Sequence, residues 1–152
     1  MRGAPLYLLP MQRTIVTSIP FLSEPSEDAD PNDPADAATA ADLVDTLKAN
    51  RGRCVGMAAN MIGERKRIIA FVDEDLDGLV TVMFNPVVTH ADDSYETREG
   101  CLSLEGERPA RRWAHIDVEY LTRRGRERRT SFDGFTAQII QHEIDHCGGV
   151  VI

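Results

Sequence analysis

The spacing of apolar residues divides the chain into a helix, a series of short strands and a second helix. The first helix is indicated by an apolar stripe at Ala40, Leu43, Val44 and Leu47. Asp36 or Thr39 would cap its start, and the helix would end near Asn50. A final helix is predicted over Phe135–Cys147, with Asp133 as its cap.

Between these helices, β-branched and aromatic residues occur in short runs separated by turn residues, a pattern typical of β-strands. The predicted strands are Arg67–Val72, Leu79–Phe84, Pro86–Thr89, His115–Leu121 and Arg128–Phe132. Gly125 marks a hairpin turn between the last two strands. A helix, several strands and a final helix predict an α+β fold, formed as one domain over residues 1–152.

The net charge of −8 comes from one segment near the N-terminus. Residues 14–47 contain eight acidic residues and no lysine or arginine, whereas the rest of the chain has 17 of each sign. Residues 23–37 are rich in Pro, Asp and Ala and are predicted to form an exposed acidic loop. Residues 1–10, ahead of Met11, are interpreted as an N-terminal extension.

The composition excludes several classes of protein. No stretch approaches the roughly 18 apolar residues of a membrane span, so we expect no membrane association. Three cysteines are few and odd in number, which favours a cytoplasmic, reducing compartment over a disulfide-bonded secreted scaffold. The arginines between positions 108 and 129 are interpreted as surface-strand residues, so we expect no specific nucleic-acid binding.

The most specific motif is the HExxH pattern from His142 to His146 in the final helix. Two histidines four residues apart project from one face of a helix and can bind one metal ion. Glu143 follows the first of them, where its carboxylate can accept a proton from a water on that metal. The motif therefore indicates a metal-dependent hydrolase.

The spacing alone leaves the third protein ligand of this metal open. Only six residues follow His146, so the ligand must come from upstream or be the adjacent Cys147, which would be strained. The upstream candidates are Cys101, Cys54, His90 and His115. The spacing does not choose among them, although Cys54 is also interpreted as a small core residue and the two histidines as surface or hydrogen-bonded residues.

Three segments carry a resemblance to a known family. They are Glu99-Gly100-Cys101-Leu102-Ser103, the final Gln141–Gly149 (QHEIDHCGG) and the earlier Cys54–Met61 (CVGMAANM). In this order they resemble the bacterial peptide deformylase family, and the likeness spans roughly residues 13–152. The resemblance implies an α+β fold in which sheets surround the HExxH helix.

The resemblance also implies an activity: a metal-dependent hydrolase that removes the N-formyl group from formyl-methionyl N-termini of nascent proteins, with a possible transient ribosome contact. It implies Cys101, His142 and His146 as metal ligands and Glu143 as general acid/base. In this family the native metal is commonly Fe(II), with Zn(II) or Ni(II) able to substitute. Such a site lowers the pKa of its water from about 15.7 toward neutrality.

We expect the remaining site residues to lie around this metal. The Leu102 N–H would donate a hydrogen bond to the developing oxyanion. Gly56 and Gly100 would let the substrate backbone approach closely, and Glu99 is also a candidate to orient a ligand histidine. The expected substrate-binding residues are Val55, Gly56, Glu99, Gly100, Arg108, Gln138 and Ile139.

The first motif departs from the family pattern G-x-G-x-A-A-x-Q at two positions. Cys54 replaces the first glycine, and Met61 replaces the catalytic glutamine, whose amide is expected to donate to the formyl oxygen. A thioether cannot donate, and loss of one such donor costs about 10²–10³ in rate, or roughly 3–4 kcal/mol. The neighbouring Asn60 is expected to point elsewhere. Gln138 also stands where an apolar wall for a methionine side chain is expected.

Two alternative functions follow from these departures. The protein could be a deformylase-like metallohydrolase with weak deformylase activity that acts on another N-acyl amide. It could also be a non-catalytic metal-binding relative, but the presence of Glu143 beside the ligands favours an enzyme.

Overall fold

The computed structural model of the protein describes residues 10–151. Its helices are α1 (Ile19–Leu22), α2 (Pro34–Ala49) and α3 (Gly134–Cys147), with short 3-10 turns at Ala59–Ile62 and Glu74–Leu76. Its strands are β1 (Gly56–Ala58), β2 (Ile68–Asp73), β3 (Leu79–Cys101), β4 (Leu104–Leu121) and β5 (Glu127–Asp133). The strands form one antiparallel sheet in the order β1-β2-β3-β4-β5. The α+β class is confirmed, with one continuous sheet where several were expected.

β2 is the central strand of the core because both of its faces are buried. Successive side chains of a strand point to opposite faces, so the continuous apolar run serves two layers. Ile68, Ala70 and Val72 belong to the apolar cluster that includes α2. Ile69 and Phe71 belong to a second cluster, which includes α3. The metal-binding helix therefore packs on one face of the sheet and α2 on the other.

β3 and β4 form a hairpin that is much longer than the sequence pattern predicts. The 23 residues of β3 continue past Thr89 to Cys101, and β4 starts at Leu104 after a two-residue turn. Residues 90–101 are polar and mostly exposed, so they lack the apolar runs that indicated the other strands. Their strand conformation depends on backbone pairing with β4, a non-local interaction. The hairpin delivers Cys101 to the end of α3.

The ends of the two long helices differ in detail from the prediction. α2 begins at Pro34, and Asp33 rather than Asp36 or Thr39 caps it by accepting from the Ala35 N–H at 2.8 Å. Asp133 occupies the cap position of α3 as predicted but makes no side-chain capping hydrogen bond. Its carboxylate instead lies 2.7 Å from His115 Nδ1 on β4.

The predicted acidic loop over residues 23–37 is mostly exposed, and only Ala29, Pro31 and Asp36 in it are buried. Residues 34–37 belong to α2, and Asp36 is only 5% exposed. The Ser26 N–H donates to the Cys147 carbonyl at 2.8 Å, and Glu27 forms a bridge with Lys66. The segment is therefore exposed as predicted, but these backbone groups anchor it to neighbouring segments by hydrogen bonds. Of the expected extension over residues 1–10, all but Pro10 lies outside the described residues.

Candidate metal centre and active site

Three metal-ligating side chains meet where the end of β3 faces α3. Cys101 is the last residue of β3, and His142 and His146 lie one turn apart on α3. The Cys101 Sγ lies 3.3 Å from His146 Nε2, which lies 3.1 Å from His142 Nε2. All three ligand atoms lie within 4.8 Å of one another. The fold therefore brings together the three residues that the sequence resemblance implies as ligands.

The spacing of these atoms fits a divalent cation. Around a tetrahedral ion, zinc-type bond lengths place two nitrogen ligands about 3.3 Å apart and a sulfur and a nitrogen about 3.6 Å apart. The His142–His146 and Cys101–His146 separations are slightly shorter than these values, and the third pair lies within 4.8 Å. His146 is fully buried and His142 is 7% exposed, so neither imidazole is surrounded by solvent. One thiolate and two imidazoles suit Zn(II) or Fe(II) and leave a fourth position facing the cavity.

The two histidines have opposite proton affinities. Burial and the neighbouring His142 charge lower the pKa of His146 to about 3. Burial alone would also lower the pKa of His142, but interactions with Cys101 and Glu99 raise it to about 10. Two imidazole nitrogens 3.1 Å apart cannot both carry a proton without repulsion. At most one proton is therefore held between the two nitrogens, and a metal ion bound by both would take the place of that proton.

Glu99 holds His142 from the side opposite its ligand atom. One carboxylate oxygen lies 2.8 Å from His142 Nδ1, and the Arg112 guanidinium contacts both oxygens at 2.7 and 2.9 Å. Burial alone would raise the pKa of Glu99, but hydrogen bonds from His142, Arg112 and Gln138 lower it to about 2. The carboxylate is therefore charged, and it fixes the His142 tautomer so that Nε2 faces the other two ligands, Cys101 and His146.

The Arg112 guanidinium ties this network to a second acidic residue of α3. Its Nη1 donates to Asp145 at 2.7 Å, so Arg112 is not the surface-strand residue that the sequence analysis expected. Arg112 and Glu99 are both buried, so their ion pair lies in a low-dielectric environment, whereas the Asp145 side chain is 34% exposed and its pair with Arg112 is partly solvated. They lock α3 to β3 and β4.

Two further side chains hold the backbone of α3. The Asn60 amide donates to the His146 carbonyl at 2.9 Å, so it points away from the ligand atoms, as expected. The Gln141 side chain accepts from the Trp113 N–H at 2.9 Å and donates to the Trp113 carbonyl at 2.8 Å. These bonds fix the helix along its length, so its two histidines cannot shift independently.

Glu143 is buried without a hydrogen-bond partner for one of its oxygens. It is 4% exposed, and its Oε1 is unpaired among the described residues. Burial raises the pKa of Glu143 to about 7. A Cβ on Gly56 would lie 2.7 Å from Ile139 Cγ2 and 2.9 Å from Glu143 Oε2. Gly56 is therefore needed for close packing of β1 on α3, whereas the sequence analysis assigned it only to the substrate.

A cavity of about 670 Å³ opens in front of Cys101, His142 and His146, which we call the ligand group. Its wall includes Cys101, His142 and Glu143, together with the Leu102 turn. Six of the seven expected substrate-binding residues also line it: Val55, Gly56, Glu99, Gly100, Gln138 and Ile139.

Two expected site residues are not among the described residues that line the cavity. Met61 is 1% exposed and belongs to the apolar cluster beneath α2, where its Sδ accepts from the Ala58 N–H at 3.5 Å. The 3-10 turn at Ala59–Ile62 directs this side chain into the core. Arg108 lies on β4, and its Nη1 is buried without a hydrogen-bond partner. The sequence analysis expected both side chains at the active site, but neither is among the described residues of the cavity wall.

The sequence analysis missed several residues of the cavity wall. Cys54, interpreted as a core residue, is half-buried and lines the cavity, and burial raises its pKa to about 11. Its position two residues before Gly56 in the first motif was the available signal. Ser103, 3% exposed with an unpaired Oγ, and the exposed Arg98 and Phe135 also line it. Ser103 belongs to the Glu99–Ser103 motif, which was its available signal, whereas nothing in the local pattern distinguishes Arg98 or Phe135 from ordinary surface residues.

This chain is similar to known proteins of one family. The family described as polypeptide deformylase matches residues 12–152. A peptide deformylase from Clostridium beijerinckii is 47% identical over 142 residues, covering 93% of this chain and 100% of that protein. Three other similar peptide deformylases are longer, and the chain covers 60%, 65% and 64% of their lengths.

Solved structures show the same fold. A class I type b peptide deformylase from Acinetobacter baumannii superposes with a TM-score of 0.83 and 26% identity, covering 93% of this chain and 96% of that one. A structure of that enzyme with bound Met-Ala-Ser has a TM-score of 0.81 and 25% identity, covering 94% and 97%. Within residues 10–151, no helix combines the length and apolar composition that a bilayer crossing requires.

Proposed function

This chain belongs to the polypeptide deformylase family and is a hydrolase that removes the N-formyl group from nascent peptides, and we propose that Cys101, His142, His146 and Glu143 carry out this reaction. The observation that supports this assignment is the meeting of three ligand atoms within 4.8 Å beside a buried carboxylate at one cavity. The proposed catalytic group lies on α3 and at the tip of the β3–β4 hairpin.

The activity of the family depends on a metal ion, and the residues here fit one. We propose Fe(II) as the native ion, with Zn(II) or Ni(II) able to replace it at the same donors. When bound, the ion supplies Lewis-acid chemistry, polarising the formyl carbonyl and lowering the pKa of a water. Cys101 and the two histidines hold it, and Glu99 fixes the tautomer of His142.

Glu143 is the proposed proton carrier. Its unpaired Oε1 and its raised pKa, about 7, suit a group that accepts a proton from the attacking water and releases it again. The same carboxyl then delivers the proton to the departing amine of the peptide. The packing of Gly56 against Glu143 holds the carboxylate in place for both transfers.

The backbone N–H of Leu102 is the proposed donor to the oxyanion that develops on the formyl group. Within residues 10–151 this N–H has no protein acceptor, although it lies in the tight turn directly after Cys101. A preorganised N–H beside the reacting carbon stabilises charge as it forms. Because Met61 lies in the core, the proposed mechanism uses Leu102 and the ion without a side-chain donor from position 61.

The cavity suits an extended peptide N-terminus. Val55 and Gly100 present backbone at its edge, while Ile139 and Phe135 offer apolar surface. The Acinetobacter baumannii enzyme binds Met-Ala-Ser, a methionyl peptide of the kind that deformylation releases. We propose formyl-methionyl peptides as the substrate class of this protein. Gln138 and Glu99 would form part of the cavity wall around them.

Hydrolysis of formyl-Met-Ala-Ser by the Fe(II)-loaded protein, with acetyl-Met-Ala-Ser as comparison, tests this function. We expect deformylation and little deacetylation. Hydrolysis of the acetyl peptide alone would instead support the alternative N-acyl amide hydrolase. No hydrolysis of either peptide by metal-loaded protein would contradict the catalytic assignment.

A second measurement tests the ligand set. His146→Ala should abolish stoichiometric metal binding, because it removes one of three protein ligands. Cys147→Ala, a change at the neighbouring buried residue, should retain it. Equal metal content in both variants would refute the proposed site.

We further propose a cytoplasmic location and transient contact with ribosomes, where formylated N-termini emerge. Co-sedimentation with ribosomes tests the proposed ribosome contact.

A further inference from the structure

We propose that Tyr95 and Gln138 form a positioning pair that holds Glu99, and through it the ligand His142. The pair links β3 to α3 beside Glu99. This inference rests on the proposed metal site, because it concerns how a ligand of that site is kept in place.

The two residues form a continuous hydrogen-bonded chain to Glu99. The Gln138 Nε2 donates to Glu99 Oε2 at 2.9 Å, and the Tyr95 hydroxyl donates to Gln138 Oε1 at 3.2 Å. Glu99 is charged and can only accept, so the amide must present its N–H to the carboxylate. The amide oxygen then faces Tyr95, whose hydroxyl is the donor it needs. The direction of every bond in the chain is thereby determined.

Gln138 supplies the last of four donors to Glu99. Oε1 accepts from His142 Nδ1 at 2.8 Å and from Arg112 Nη2 at 2.7 Å. Oε2 accepts from Arg112 Nε at 2.9 Å and from Gln138 at 2.9 Å. An ionised carboxylate offers about four lone-pair sites, so this one is saturated and cannot rotate without losing a bond. A fixed carboxylate fixes the imidazole that donates to it.

The positions of Gln138 and Tyr95 explain how these hydrogen bonds connect α3 to β3. Gln138 lies one turn before His142, on the same face of α3. Tyr95 lies four residues before Glu99 on β3, so both point to the same face of the sheet. The pair therefore bridges β3 and α3 next to the ligand group and sets their separation there.

Tyr95 allows this role to be distinguished from a role in the substrate pocket. Gln138 lines the cavity, so changing it alters the wall as well as the network. Tyr95 is not among the described residues of that wall. Tyr95→Phe therefore removes one donor from the chain while leaving the pocket surface intact. Tyr120→Phe is a matched control, because Tyr120 is another half-buried sheet tyrosine, with a hydroxyl contact only to Thr130 at 3.4 Å.

Titration with Co(II), followed by its visible absorption spectrum, tests the proposal independently of activity. Gln138→Met should weaken Co(II) binding about 10-fold and change the spectrum, because the side-chain length is kept but the donor is lost. Tyr95→Phe should weaken it about threefold, as expected for one neutral hydrogen bond. The double variant should bind as Gln138→Met does, because both act through the same carboxylate. Tyr120→Phe should match the parent.

The kinetic constants kcat and KM should also distinguish a positioning role from a role in the substrate pocket. With formyl-Met-Ala-Ser, Tyr95→Phe should lower kcat by about threefold and leave KM unchanged, because it does not alter the pocket wall. Parent-like Co(II) affinity in both single variants, or fully additive losses in the double variant, would overturn the proposal. A parent protein that binds no Co(II) would instead refute the proposed metal site itself.

Discussion

The two faces of β2 carry helices with different kinds of buried side chains. On one face, Ile68, Ala70 and Val72 pack with Leu43 and Leu47 of α2, all at most 3% exposed. On the other face, Ile69 and Phe71 share an apolar cluster with α3. Both helices also bury polar residues, but of different types: aspartate and threonine on α2 (Asp36, Thr39, Asp42 and Thr46), and the histidines with Glu143, Gln141 and Thr136 on α3.

The buried polar groups of the two helices also differ in how well they are paired. On α2, Asp42 accepts from the Met11 N–H and from the Arg13 side chain, and Thr46 accepts from the Arg13 N–H. On α3, Glu143 Oε1 and His146 Nδ1 have no partner among the described residues. Unpaired buried groups cost stability. The α2 face thus stabilises the fold, while the α3 face gives up stability to keep reactive groups in place.

Glu143→Gln should show this trade-off most strongly. We expect kcat/KM for formyl-Met-Ala-Ser to fall by about 10²–10⁴, because the amide cannot carry the proton. The free energy of unfolding should rise, since a buried carboxylate with an unpaired oxygen is removed. Parallel assays and urea denaturation, with metal content confirmed, check this. Activity within tenfold of the parent would show that another group transfers the proton.

Arg112→Met should have the largest effect on stability on the α3 side. It leaves the Glu99 charge buried without its guanidinium partner, which costs about 3–5 kcal/mol. Urea denaturation measures the loss. Adding Glu99→Gln should recover part of it, because the unpaired charge is then gone. A loss under 1 kcal/mol for the single variant would mean that the carboxylate is better solvated than its burial indicates.

Leu47→Ala is the corresponding change on the α2 face. A fully buried leucine in the apolar cluster should cost about 2–5 kcal/mol of stability when truncated. Co(II) affinity at a temperature where the variant is folded should equal that of the parent. A weaker metal site in folded Leu47→Ala would show that the two faces of β2 are coupled.

Met61→Gln tests whether position 61 belongs to the core or to the reaction. The amide would be buried in the apolar cluster, and we expect a loss of about 1–3 kcal/mol of stability with no gain in kcat/KM. Thermal denaturation and the deformylation assay check both parts. A rise in kcat/KM of about 10²-fold would instead place this side chain at the formyl oxygen.

The smallest expected effect is a pH dependence at the start of α3. The hydrogen bond between His115 and Asp133 raises the pKa of His115, and the nearby Asp117 raises it further. His90, Asp92 and Arg129 are the other charged or titratable residues near it on the paired strands. A raised pKa in the folded state stabilises below about pH 6.5, and this contribution is lost as pH rises through the folded-state value.

The melting temperatures of the parent and His115→Asn, measured from pH 5 to pH 9, isolate this contribution. The difference between the two proteins should be largest at low pH and shrink as pH rises. A difference that does not change with pH would show that the pKa of His115 is the same in the folded and unfolded protein.

The sequence predicted the parts of the site that lie within one short segment. HExxH fixes two histidines on one helix face, and the Glu99–Ser103 segment carries the third ligand. The roles of Arg112 and Tyr95 could not be read in this way, because their contacts depend on the register between β3, β4 and α3. Residues 90–101 were missed as a strand for a related reason, since only pairing with β4 makes them one.

Met61 shows the opposite limit of sequence reasoning. A motif gives the position of a residue along the chain, but not the direction of its side chain. The 3-10 turn at Ala59–Ile62 rotates that side chain into the core, and the motif contains no sign of the rotation. The buried apolar run of β2, in contrast, was predicted well because its local composition determines it.

The four donors around Glu99 have a consequence for how sequences of this kind can change over time. A single replacement at Glu99, Arg112 or Gln138 leaves either a charge or a lone pair without its partner. Each such step lowers fitness on its own, although a joint replacement could be neutral. We therefore expect these positions to vary together among related proteins, with Tyr95 retained wherever Gln138 is present.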